Sequence, residues 1–569
     1  MRIKSRELWL SLMVLMACQK TEPIDKPAYV APIYDLAPSQ FMALLDSLAP
    51  LTIPTGKEVK GPWQISFQDS SGLDSEIPVM YDSAVELPHR ILLPDAAIWY
   101  QQDVTLGHGV LMIDADDGAQ LWLDGERVPH SYANYFPTNE STQTISIRVL
   151  NNAMKGGLRK VVWFAASEWE TNLAQKKKRD STWLVLRKVE LLDIPEQQVS
   201  ELKHLMLSNS KEFLENQPIQ MKDPVFLTAP MWQQDSEYLY VRWVSDQGGR
   251  ATISWGKDSL VSDHEIETSS ESGIYLVPFP TDLGNIYYQI DQNGIKSPIY
   301  QFTQPNSEVF RFGVWADSQG GWDVFQKHMK HYLLHEPEFT IGAGDLVAHG
   351  YLNQEYLNLL QSLSIVQRPH YLVPGNHDYD GYYENLHPEN YFKYLGLPQQ
   401  DQYFSWNVKN CAFIALDVDM QFPTGISGKQ KDWFLEQVET VEWKNAEWRF
   451  IVLHHPPYAQ GWEGYHGELS VRSLLDTLYE TSQIDMVLAG HCHDYERLVK
   501  QFGNQTTAFV VLGGGGGGIE PSRNSDTPKM DTVIKKHHYA MVEVEDKKLT
   551  LKVYDLDNQL MDSVQLIHQ

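Results

Sequence analysis

The stretch Ala489-Gly-His-Cys-His-Asp-Tyr-Glu-Arg497 carries two histidines two positions apart, and the rest of the chain can be interpreted from it. It follows Asp485-Met-Val-Leu488, an apolar run with the length and bounds of a buried strand. Side chains two residues apart on an extended backbone point to the same side. We therefore expect His491 and His493 to form half of a metal site, although two hydrogen-bonded surface histidines would give the same local pattern.

Four upstream segments place a polar group directly after a short apolar run. The segments are Trp315-Ala-Asp-Ser-Gln319, Gly344-Asp-Leu-Val347, Pro374-Gly-Asn-His-Asp378 and Ile451-Val-Leu-His-His-Pro-Pro457. The apolar runs before them span residues 312–315, 339–341, 370–373 and 450–453. Layered α/β sheets carry their sites at such carboxyl ends of strands. Oxygen donors and imidazoles without a thiolate core suit Mn, Fe or Zn better than a closed structural zinc site.

In this order, the five blocks resemble the motifs of the calcineurin-like dinuclear metallophosphoesterases. The continuation Tyr495-Glu-Arg497 and the block His454-His-Pro-Pro-Tyr458 resemble those of the purple acid phosphatases. The resemblance covers roughly residues 221–569. It implies one β-sandwich domain followed by an α/β metallophosphoesterase domain of four layers, α-β-β-α. With the β-rich region before it, we expect a multidomain protein with two β-sandwich domains followed by this α/β domain. The resemblance also implies metal-dependent hydrolysis of phosphate esters.

The resemblance further implies which residues hold the two metal ions, whose identity among Fe, Mn and Zn it leaves open. One metal is held by Asp317, Asp345 and His493, and the other by Asp345, Asn376, His454 and His491. Asp345 bridges both ions, which together neutralise the ester's charge and supply a bridging hydroxide. His377, next to a ligand, is expected to stabilise the developing oxyanion or to protonate the leaving group. Its alternative role is to stabilise the turn.

Three positions depart from the patterns of related families. Purple acid phosphatases carry a metal-bound tyrosine where this chain has Ala348, so an obligatory purple Fe(III) site is not implied. Gln319 stands where many metallophosphoesterases have a histidine, and the sequence leaves open whether its oxygen binds the first metal. His349 stands where phosphoprotein phosphatases hold phosphate with an arginine. It is a candidate substrate contact, or simply a loop histidine.

Three histidines in and after the fourth block need separate interpretations. His454 aligns with the family's ligand, whereas His455 falls at a variable position and is expected to face the other way. His466, in Gly464-Tyr-His-Gly-Glu468, resembles a substrate-facing histidine of plant-type members. The glycine run 513–518 is expected near the metals, where bare backbone can approach a phosphate, although a loosely held loop would have the same composition.

Composition bounds the possible functions. The chain has 569 residues, a formal net charge of −28 and a pI of about 5.1, so it is long enough for several domains. This acidity argues against broad binding to nucleic acid or to an anionic membrane surface. The three cysteines, Cys18, Cys411 and Cys492, provide no disulfide framework.

The amino terminus has the pattern of an export signal. Residues 1–17 place Arg and Lys before an apolar run that is too short to span a bilayer. The segment Leu15-Met-Ala-Cys18 resembles a bacterial lipobox, which implies that Cys18 is lipidated and that 18–55 is a tether. We expect a lipid-anchored protein of the bacterial cell envelope, on the periplasmic or cell-surface side. The alternative is an ordinary signal peptide.

Two β-rich regions precede the catalytic region, which spans 306–569. Residues 56–192 resemble galactose-binding-like β-sandwiches, and Asp124-Gly125 is a hairpin turn signal. Residues 193–220 predict a helical connector. Residues 221–305 resemble the fibronectin-III-like domain of purple acid phosphatases. The aromatic residues that could stack on a sugar, but that more often belong to a core, are Trp122, Tyr132 and Tyr135.

These observations favour an enzyme that acts on a small phosphorylated substrate, most simply a phosphomonoester. A phosphodiesterase or nucleotidase on the same scaffold is an alternative, because pocket walls rather than metal ligands separate these substrates. A surface glycan-binding lipoprotein with weak hydrolase activity is another alternative. The complete set of ligand blocks argues against it.

Overall fold

The computed structural model describes residues 38–51, 56–70, 72, 75–115, 117–131, 134–139, 141–152, 155–188, 226–304, 309–380, 387–398 and 400–568. The predicted signal peptide, Cys18, Tyr132 and the predicted connector 193–220 lie outside these residues. Part of the predicted tether lies inside them and forms helix α1, Pro38–Leu48. Leu45 and Leu48 of this helix are buried in an apolar core, so the end of the tether is packed against the protein.

The first β-rich region has one four-stranded sheet, β1-β12-β6-β9, one six-stranded sheet, β3-β2-β5-β10-β7-β8, and the short pair β4-β11. Its strands are β1 Lys57–Glu58, β2 Trp63–Ser66, β3 Ser83–Val85, β4 Ile91–Leu92, β5 Ala96–Leu106, β6 Gly109–Ala115, β7 Ala119–Leu123, β8 Glu126–Val128, β9 Tyr135–Thr138, β10 Thr142–Asn151, β11 Lys155–Gly156 and β12 Leu158–Ala165. The core between the two large sheets includes Trp63, Leu111, Ile147 and Val161.

This region differs from the sequence expectation at two places. It ends in a helix, α2, Ala166–Lys188, which the β-like interpretation of 56–192 did not contain. Trp122, considered as an exposed sugar platform, is only 6% exposed and packs on Trp99 with ring centroids 4.7 Å apart. Tyr135 is covered in part by Trp169 of α2, at 4.5 Å between ring centroids. Trp122 therefore belongs to a core, which is the alternative that the sequence favoured, and it is not available to stack on a sugar.

The second β-rich region has a three-stranded sheet, β13-β14-β17, and a five-stranded sheet, β16-β15-β18-β19 with β20 beside β18. Its strands are β13 Met231–Gln234, β14 Tyr238–Val244, β15 Gly249–Gly256, β16 His264–Ser270, β17 Ile274–Pro280, β18 Ile286–Gln292, β19 Ile295–Lys296 and β20 Tyr300–Phe302. Trp232 joins this region to the third one, because its backbone bridges to Pro369 and its ring nitrogen donates to Gln367 Oε1 at 3.2 Å.

The third region contains two larger sheets, β23-β22-β21-β31-β32-β33 and β24-β25-β26-β27-β29-β28-β30. Its strands are β21 Phe310–Trp315, β22 Phe339–Ala343, β23 His370–Val373, β24 Phe404–Val408, β25 Cys411–Leu416, β26 Trp448–Leu453, β27 Met486–Ala489, β28 Tyr495–Phe502, β29 Gln505–Leu512, β30 Thr532–Ile534, β31 His538–Glu545, β32 Lys548–Asp555 and β33 Leu560–Ile567. Strands β21 to β23 run parallel, as do β25, β26, β27 and β29.

Helices cover the outer faces of these two sheets. They are α3 Trp322–His335, α4 Asn353–Leu363, α5 Glu389–Leu395, α6 Gly428–Gln437, α7 Val441–Asn445 and α8 Leu469–Leu475. Buried residues of α3 and α4 pack on the first sheet, and Phe434 of α6 and Val471 of α8 pack on the second. Each sheet thus carries helices on one face and packs against the other sheet on the opposite face. Within the described residues, no helix combines the length and the apolarity that a membrane crossing requires.

The face between the two sheets is an aromatic core. Phe312 of the first sheet stacks on Phe339 at 5.2 Å and meets the edges of Phe413 and Phe450 of the second sheet at 5.3 and 5.4 Å. All four rings are buried, so the two sheets are fixed face to face. Because strands of both sheets carry the candidate site at their carboxyl ends, this core also fixes the distance between the two halves of the site.

We predict that Phe312→Ala destabilises the third region by about 3–5 kcal/mol, because it removes a ring from a core that cannot fully close around the gap. Calorimetric melting of the purified protein measures this change. Leu333→Ala, at a position on α3 that is 51% exposed, is the matched control and should shift the same transition little. Equal shifts for both variants would contradict this role of Phe312.

Candidate active site

The loops after five parallel strands bring the predicted ligands to one edge of the two sheets. The residues that follow β21, β22, β23, β26 and β27 are, in order, Asp317, Asp345, Asn376, His454 and His491. His493 follows two residues after His491, as the motif required. The structure therefore brings these six candidate side chains to the carboxyl ends of neighbouring parallel strands.

The backbone turns sharply at three of these positions. Asp317, Asp345 and His491 have φ angles of 58°, 51° and 72°, in the left-handed region that side chains rarely adopt. Each such residue costs about 1–2 kcal/mol, which the surrounding contacts must offset. The Asp317 amide donates to the Gly344 carbonyl at 3.0 Å, and the His491 amide donates to Asp317 Oδ2 at 2.9 Å. The loops therefore hold one another in these conformations.

Two glycines permit the close approach of these loops. A Cβ atom at Gly344, whose φ is 90°, would lie 2.3 Å from His454 Nδ1. A Cβ atom at Gly490 would lie 2.5 Å from Asp317 Oδ2. The glycines of the Gly-Asp and Gly-His blocks are thus needed for space beside the ligands.

The side chains form two adjoining groups. Within each group, the potential ligand atoms lie within 4.8 Å of one another. One group is Asp317, Asp345 and His493, and the other is His454, His455 and His491. Asp345 connects the two groups, because its Oδ2 lies 3.1 Å from His454 Nε2. This is the position that a carboxylate bridging two metal ions requires.

Several polar atoms of this cluster are buried and have no hydrogen-bond partner within the protein. They are Asp317 Oδ1, Asn376 Oδ1, His454 Nε2 and His491 Nε2. A buried polar atom without a partner costs about 1–3 kcal/mol, so four of them together would be expensive. All four are ordinary ligand atoms, two oxygens and two imidazole nitrogens, and they fit a site for metal ions.

Backbone carbonyls orient two of the imidazoles. His454 Nδ1 lies 3.0 Å from the Ala343 carbonyl oxygen, and His493 Nδ1 lies 2.6 Å from that of Gly518. A carbonyl can only accept, so in each ring Nδ1 carries the proton and Nε2 faces the cluster with its lone pair when the ring is neutral. This outer contact is the usual way in which proteins fix a metal-binding histidine.

The side chains of the cluster shift one another's pKa values. Burial by itself lowers the pKa of His454, but the Asp345 carboxylate outweighs burial and raises this pKa to about 10. Burial raises the pKa of Asp345, yet the neighbouring His454 and His377 bring it below its usual range. Burial lowers the pKa of His491, and the neighbouring His455 adds to this effect. The Asp345 carboxylate thus favours positive charge beside it.

His377 lies beside the cluster and is partly open to solvent. Its side chain is 39% exposed, and its Nε2 lies 4.0 Å from Asp345 Oδ2. Its Nδ1 is 2.9 Å from the Ala348 carbonyl oxygen, so Nε2 is the atom available to a substrate. Asp378 fixes this turn, because its carboxylate accepts from the amides of Gly375 at 2.8 Å and Leu346 at 3.2 Å.

The three remaining candidates have different surroundings. Gln319 approaches Asp345 with its amide Nε2, 2.5 Å from Oδ2, and this nitrogen donates rather than ligates. His349 is 52% exposed, pairs with Glu355 at 3.0 Å and lines the cavity in front of His377. His466 is exposed and its Nδ1 contacts the Thr527 carbonyl. Metal binding by Gln319 and substrate binding by His349 and His466 stay predictions.

His455 does not face away from the site as the sequence suggested. Its ring is buried and stacks on His491 with ring centroids 3.9 Å apart, and its Nε2 lies 3.1 Å from Asp419 Oδ1. The neighbouring carboxylate raises the pKa of His455, although burial by itself lowers it. His455 therefore supports His491 from behind. The prediction assumed that His454 and His455 alternate as in a strand. It was wrong because β26 ends at Leu453, before both residues.

Sequence reasoning missed the aromatic residues over the histidines. Trp462 packs on His491 at 5.1 Å and on His493 at 5.9 Å, and Tyr465 packs on His491 at 5.4 Å. The Tyr-Glu-Arg continuation provided a signal, because Glu496 accepts from the amides that open this loop. Its Oε1 receives the Gly461 amide at 2.9 Å.

The glycine run lies against the site, and two of its amides donate to the loop that carries Asp317. The Gly515 amide donates to the Ala316 carbonyl at 3.0 Å, and the Gly517 amide donates to the Asp317 carbonyl at 2.8 Å. These glycines therefore support the first ligand loop. The two amides are not available to a phosphate.

A cavity of about 390 Å³ opens in front of His377 and Asn376. Its other wall comes from the first β-rich region, which the sequence did not place near the site. The residues of that region on the wall include Asp114, Asp117, Asn134 and Arg159. The candidate active site is thus formed by two distant parts of the chain.

We predict that Asp345→Asn binds at least one metal ion fewer per chain than the wild type, because a single amide oxygen cannot bridge two cations as a carboxylate does. Elemental analysis after metal loading and gel filtration measures the stoichiometry. Asp432→Asn, at an exposed position on α6, is the matched control and should keep the wild-type content. Full metal content in Asp345→Asn would contradict the bridging role.

Comparison with known proteins agrees with this geometry. Residues 310–495 match the calcineurin-like phosphoesterase family. Probable purple acid phosphatase 20 of Arabidopsis thaliana is 24% identical over 323 residues, which cover 51% of this chain and 74% of the relative. A probable glycerophosphodiester phosphodiesterase of Arcobacter nitrofigilis is 26% identical over 168 residues, which cover 28% of this chain and 58% of that relative.

One solved structure supports the fold. A purple acid phosphatase isolated from seeds of yellow lupin, Lupinus luteus, aligns with a TM-score of 0.50 and 16% identity over 59% of this chain and 74% of the lupin chain. The family match and these relatives indicate a metal-dependent phosphoric ester hydrolase. Residues 310–495 are a calcineurin-like phosphoesterase domain.

Proposed function

We propose that this protein hydrolyses phosphomonoesters with two metal ions. The observation that carries the proposal is the convergence of buried ligand atoms without hydrogen-bond partners around Asp345. Asp317, Asp345 and His493 would hold one ion, and Asp345, Asn376, His454 and His491 would hold the other. Ala348 leaves no tyrosine three residues after Asp345, so Mn, Zn or Fe can serve without a tyrosinate ligand.

The bound ions would neutralise the phosphate oxygens and lower the pKa of a water that attacks phosphorus. The rest of the chemistry falls to the side chains of the chain. His377 Nε2 faces the cavity while Nδ1 is held by the Ala348 carbonyl, so a protonated His377 can donate to the leaving-group oxygen. Trp462 and Tyr465 cover the imidazoles of His491 and His493 and limit the access of bulk water to them.

A phosphodiesterase is the second candidate, favoured by the similarity to the glycerophosphodiester phosphodiesterase relative. The two candidates differ in the number of groups esterified to phosphorus. Turnover of 4-nitrophenyl phosphate and of bis(4-nitrophenyl) phosphate, measured side by side, separates them. The phosphomonoesterase proposal expects the higher kcat/KM on the monoester.

We predict that EDTA abolishes turnover of 4-nitrophenyl phosphate and that Mn, Zn or Fe restores it.

We also predict that His377→Gln lowers kcat by about 10²–10⁴-fold while both metal ions stay bound, because general acid catalysis is typically worth that factor. His387→Gln is the matched control, since this exposed histidine stacks on Phe392 at 4.3 Å, outside the site. Full activity in metal-free protein would contradict the proposal.

The two β-rich regions have separate proposed roles. Residues 221–305 would be a fibronectin-III-like structural domain, since Trp232 and its neighbours pack into the core shared with α3 and α4. Residues from 56 onward would be a galactose-binding-like sandwich, as the two facing sheets suggest. Glycan binding through Trp122 is not proposed, because this ring is buried.

We propose that the protein is anchored in the bacterial cell envelope through lipid on Cys18. The support is the basic and apolar pattern of residues 1–17, followed by a cysteine after alanine. Each buried methylene of an acyl chain adds about 0.8 kcal/mol, so a cysteine carrying two or three chains would anchor the protein stably.

We predict that wild-type protein sediments with membranes and requires detergent for release, whereas Cys18→Ala is soluble or unprocessed. Cell fractionation with mass spectrometry of the amino terminus measures both properties. Wild-type protein found in the cytosol with Met1 retained would contradict the proposed location.

A further inference from the structure

The first β-rich region, residues 56–165, forms part of the catalytic cavity. Asp114 of β6 and Arg159 of β12 line the same space as the candidate catalytic His377. Arg159 lies at a β-bulge, where the pairing of β12 with β6 shifts between Leu158 and Lys160. A bulge re-aims the side chain of the extra residue, and bulges are common beside active sites. Arg159 thus reaches the cavity through a feature of the strand itself.

This wall is held in place by contacts around the site. The Gly72 amide donates to the Phe422 carbonyl at 2.9 Å, and the Thr424 hydroxyl donates to Asp95 Oδ1 at 3.2 Å. Phe422 is buried with Ala97 and Leu150 of the sandwich. Because polar and apolar contacts both secure the sandwich here, its side chains have a fixed position relative to the phosphate site.

The charges of this wall exclude one kind of substrate. Arg159 lies 3.6 Å from Asp114, which compensates its charge, and both side chains are partly exposed, at 38% and 42%. Asp380 also lines the cavity, so two aspartates face one arginine there, while burial raises the pKa of the neighbouring Asp117 and makes it a weaker anion. A second anionic phosphate on the leaving group would meet these carboxylates at close range and be repelled.

We propose that Asp114 and Arg159 recognise the leaving group, and that the preferred substrates are phosphomonoesters of neutral, hydroxyl-rich molecules such as sugars. A guanidinium offers several donors and a carboxylate only acceptors, so the pair can receive and donate hydrogen bonds with neighbouring hydroxyls. Hydrogen bonds in which the donor or acceptor is charged are stronger than hydrogen bonds between neutral groups. Both residues act as specificity residues and leave the chemical step to the metal cluster and His377.

This inference rests on the proposed phosphomonoesterase function. Two substrates distinguish a failure of that function from a failure of the proposed leaving-group recognition. The test compares 4-nitrophenyl phosphate, whose leaving group has no free hydroxyl, with glucose 6-phosphate. We expect Asp114→Asn and Arg159→Gln to lower kcat/KM on glucose 6-phosphate by about tenfold or more, mainly through KM, because each loses a charged hydrogen bond. On 4-nitrophenyl phosphate we expect a smaller loss for each variant, so the ratio of the two kcat/KM values should fall, since no hydrogen bond to that leaving group is lost.

The matched control is an ion pair on the same sandwich that does not line the cavity. Lys60 lies 3.7 Å from Glu58, nearly the separation of Asp114 and Arg159. Glu58→Gln and Lys60→Gln should change neither substrate's kcat/KM. Thermal melting of all four variants verifies that each is folded before kinetics are compared.

The possible outcomes distinguish the two proposals. If wild type hydrolyses neither substrate, the proposed function fails. If wild type hydrolyses both and the ratio of their kcat/KM values is unchanged in Asp114→Asn and Arg159→Gln, the function stands and this inference is overturned. An equal loss on both substrates would also overturn it, because Arg159 would then contact the transferred phosphate. Wild-type preference for a bisphosphate over glucose 6-phosphate would contradict the charge argument.

Discussion

The burial of the Asp345 carboxylate is the interaction on which the catalytic domain depends. Asp345 is 1% exposed, and a charge so far from water is costly unless other groups compensate it. The compensation comes from three loops: His454 after β26, the His377 amide after β23, at 2.9 Å, and the Gln319 amide nitrogen after β21. Because the buried charge of Asp345 needs these partners, the ends of the three strands must meet at one point. A pair of bound cations would compensate the rest of this charge.

The site also shows where stability is given up for function. Left-handed backbone at Asp317 and His491 and partnerless buried atoms such as Asn376 Oδ1 each cost free energy in the protein alone. The aromatic core around Phe312 includes side chains of both sheets and holds them face to face. Its burial offsets these costs. Binding of metal ions to the folded protein would stabilise it further, through mass action on the native state.

The sequence predicted the strands of the third region and the candidate side chains at their ends, because each candidate follows a short apolar run. Asp317, Asn376 and His491 illustrate this local encoding. Features that depend on contacts between distant segments were not predictable. The stacking of His455 on His491, the approach of Arg159 to the site and the burial of Trp122 all depend on such contacts. Helix α2 was missed because its polar sequence lacks a clear apolar stripe.

The central claim is that two metal ions share Asp345, and anomalous diffraction from crystals of the metal-loaded protein tests it most directly. The account predicts two anomalous peaks about 3.5–4 Å apart, the spacing of two-metal hydrolytic sites, with Asp345 between them. One peak should lie beside Asp317 and His493, and the other beside Asn376, His454 and His491. A single peak held by His454, His455 and His491, with none at Asp317, would contradict it.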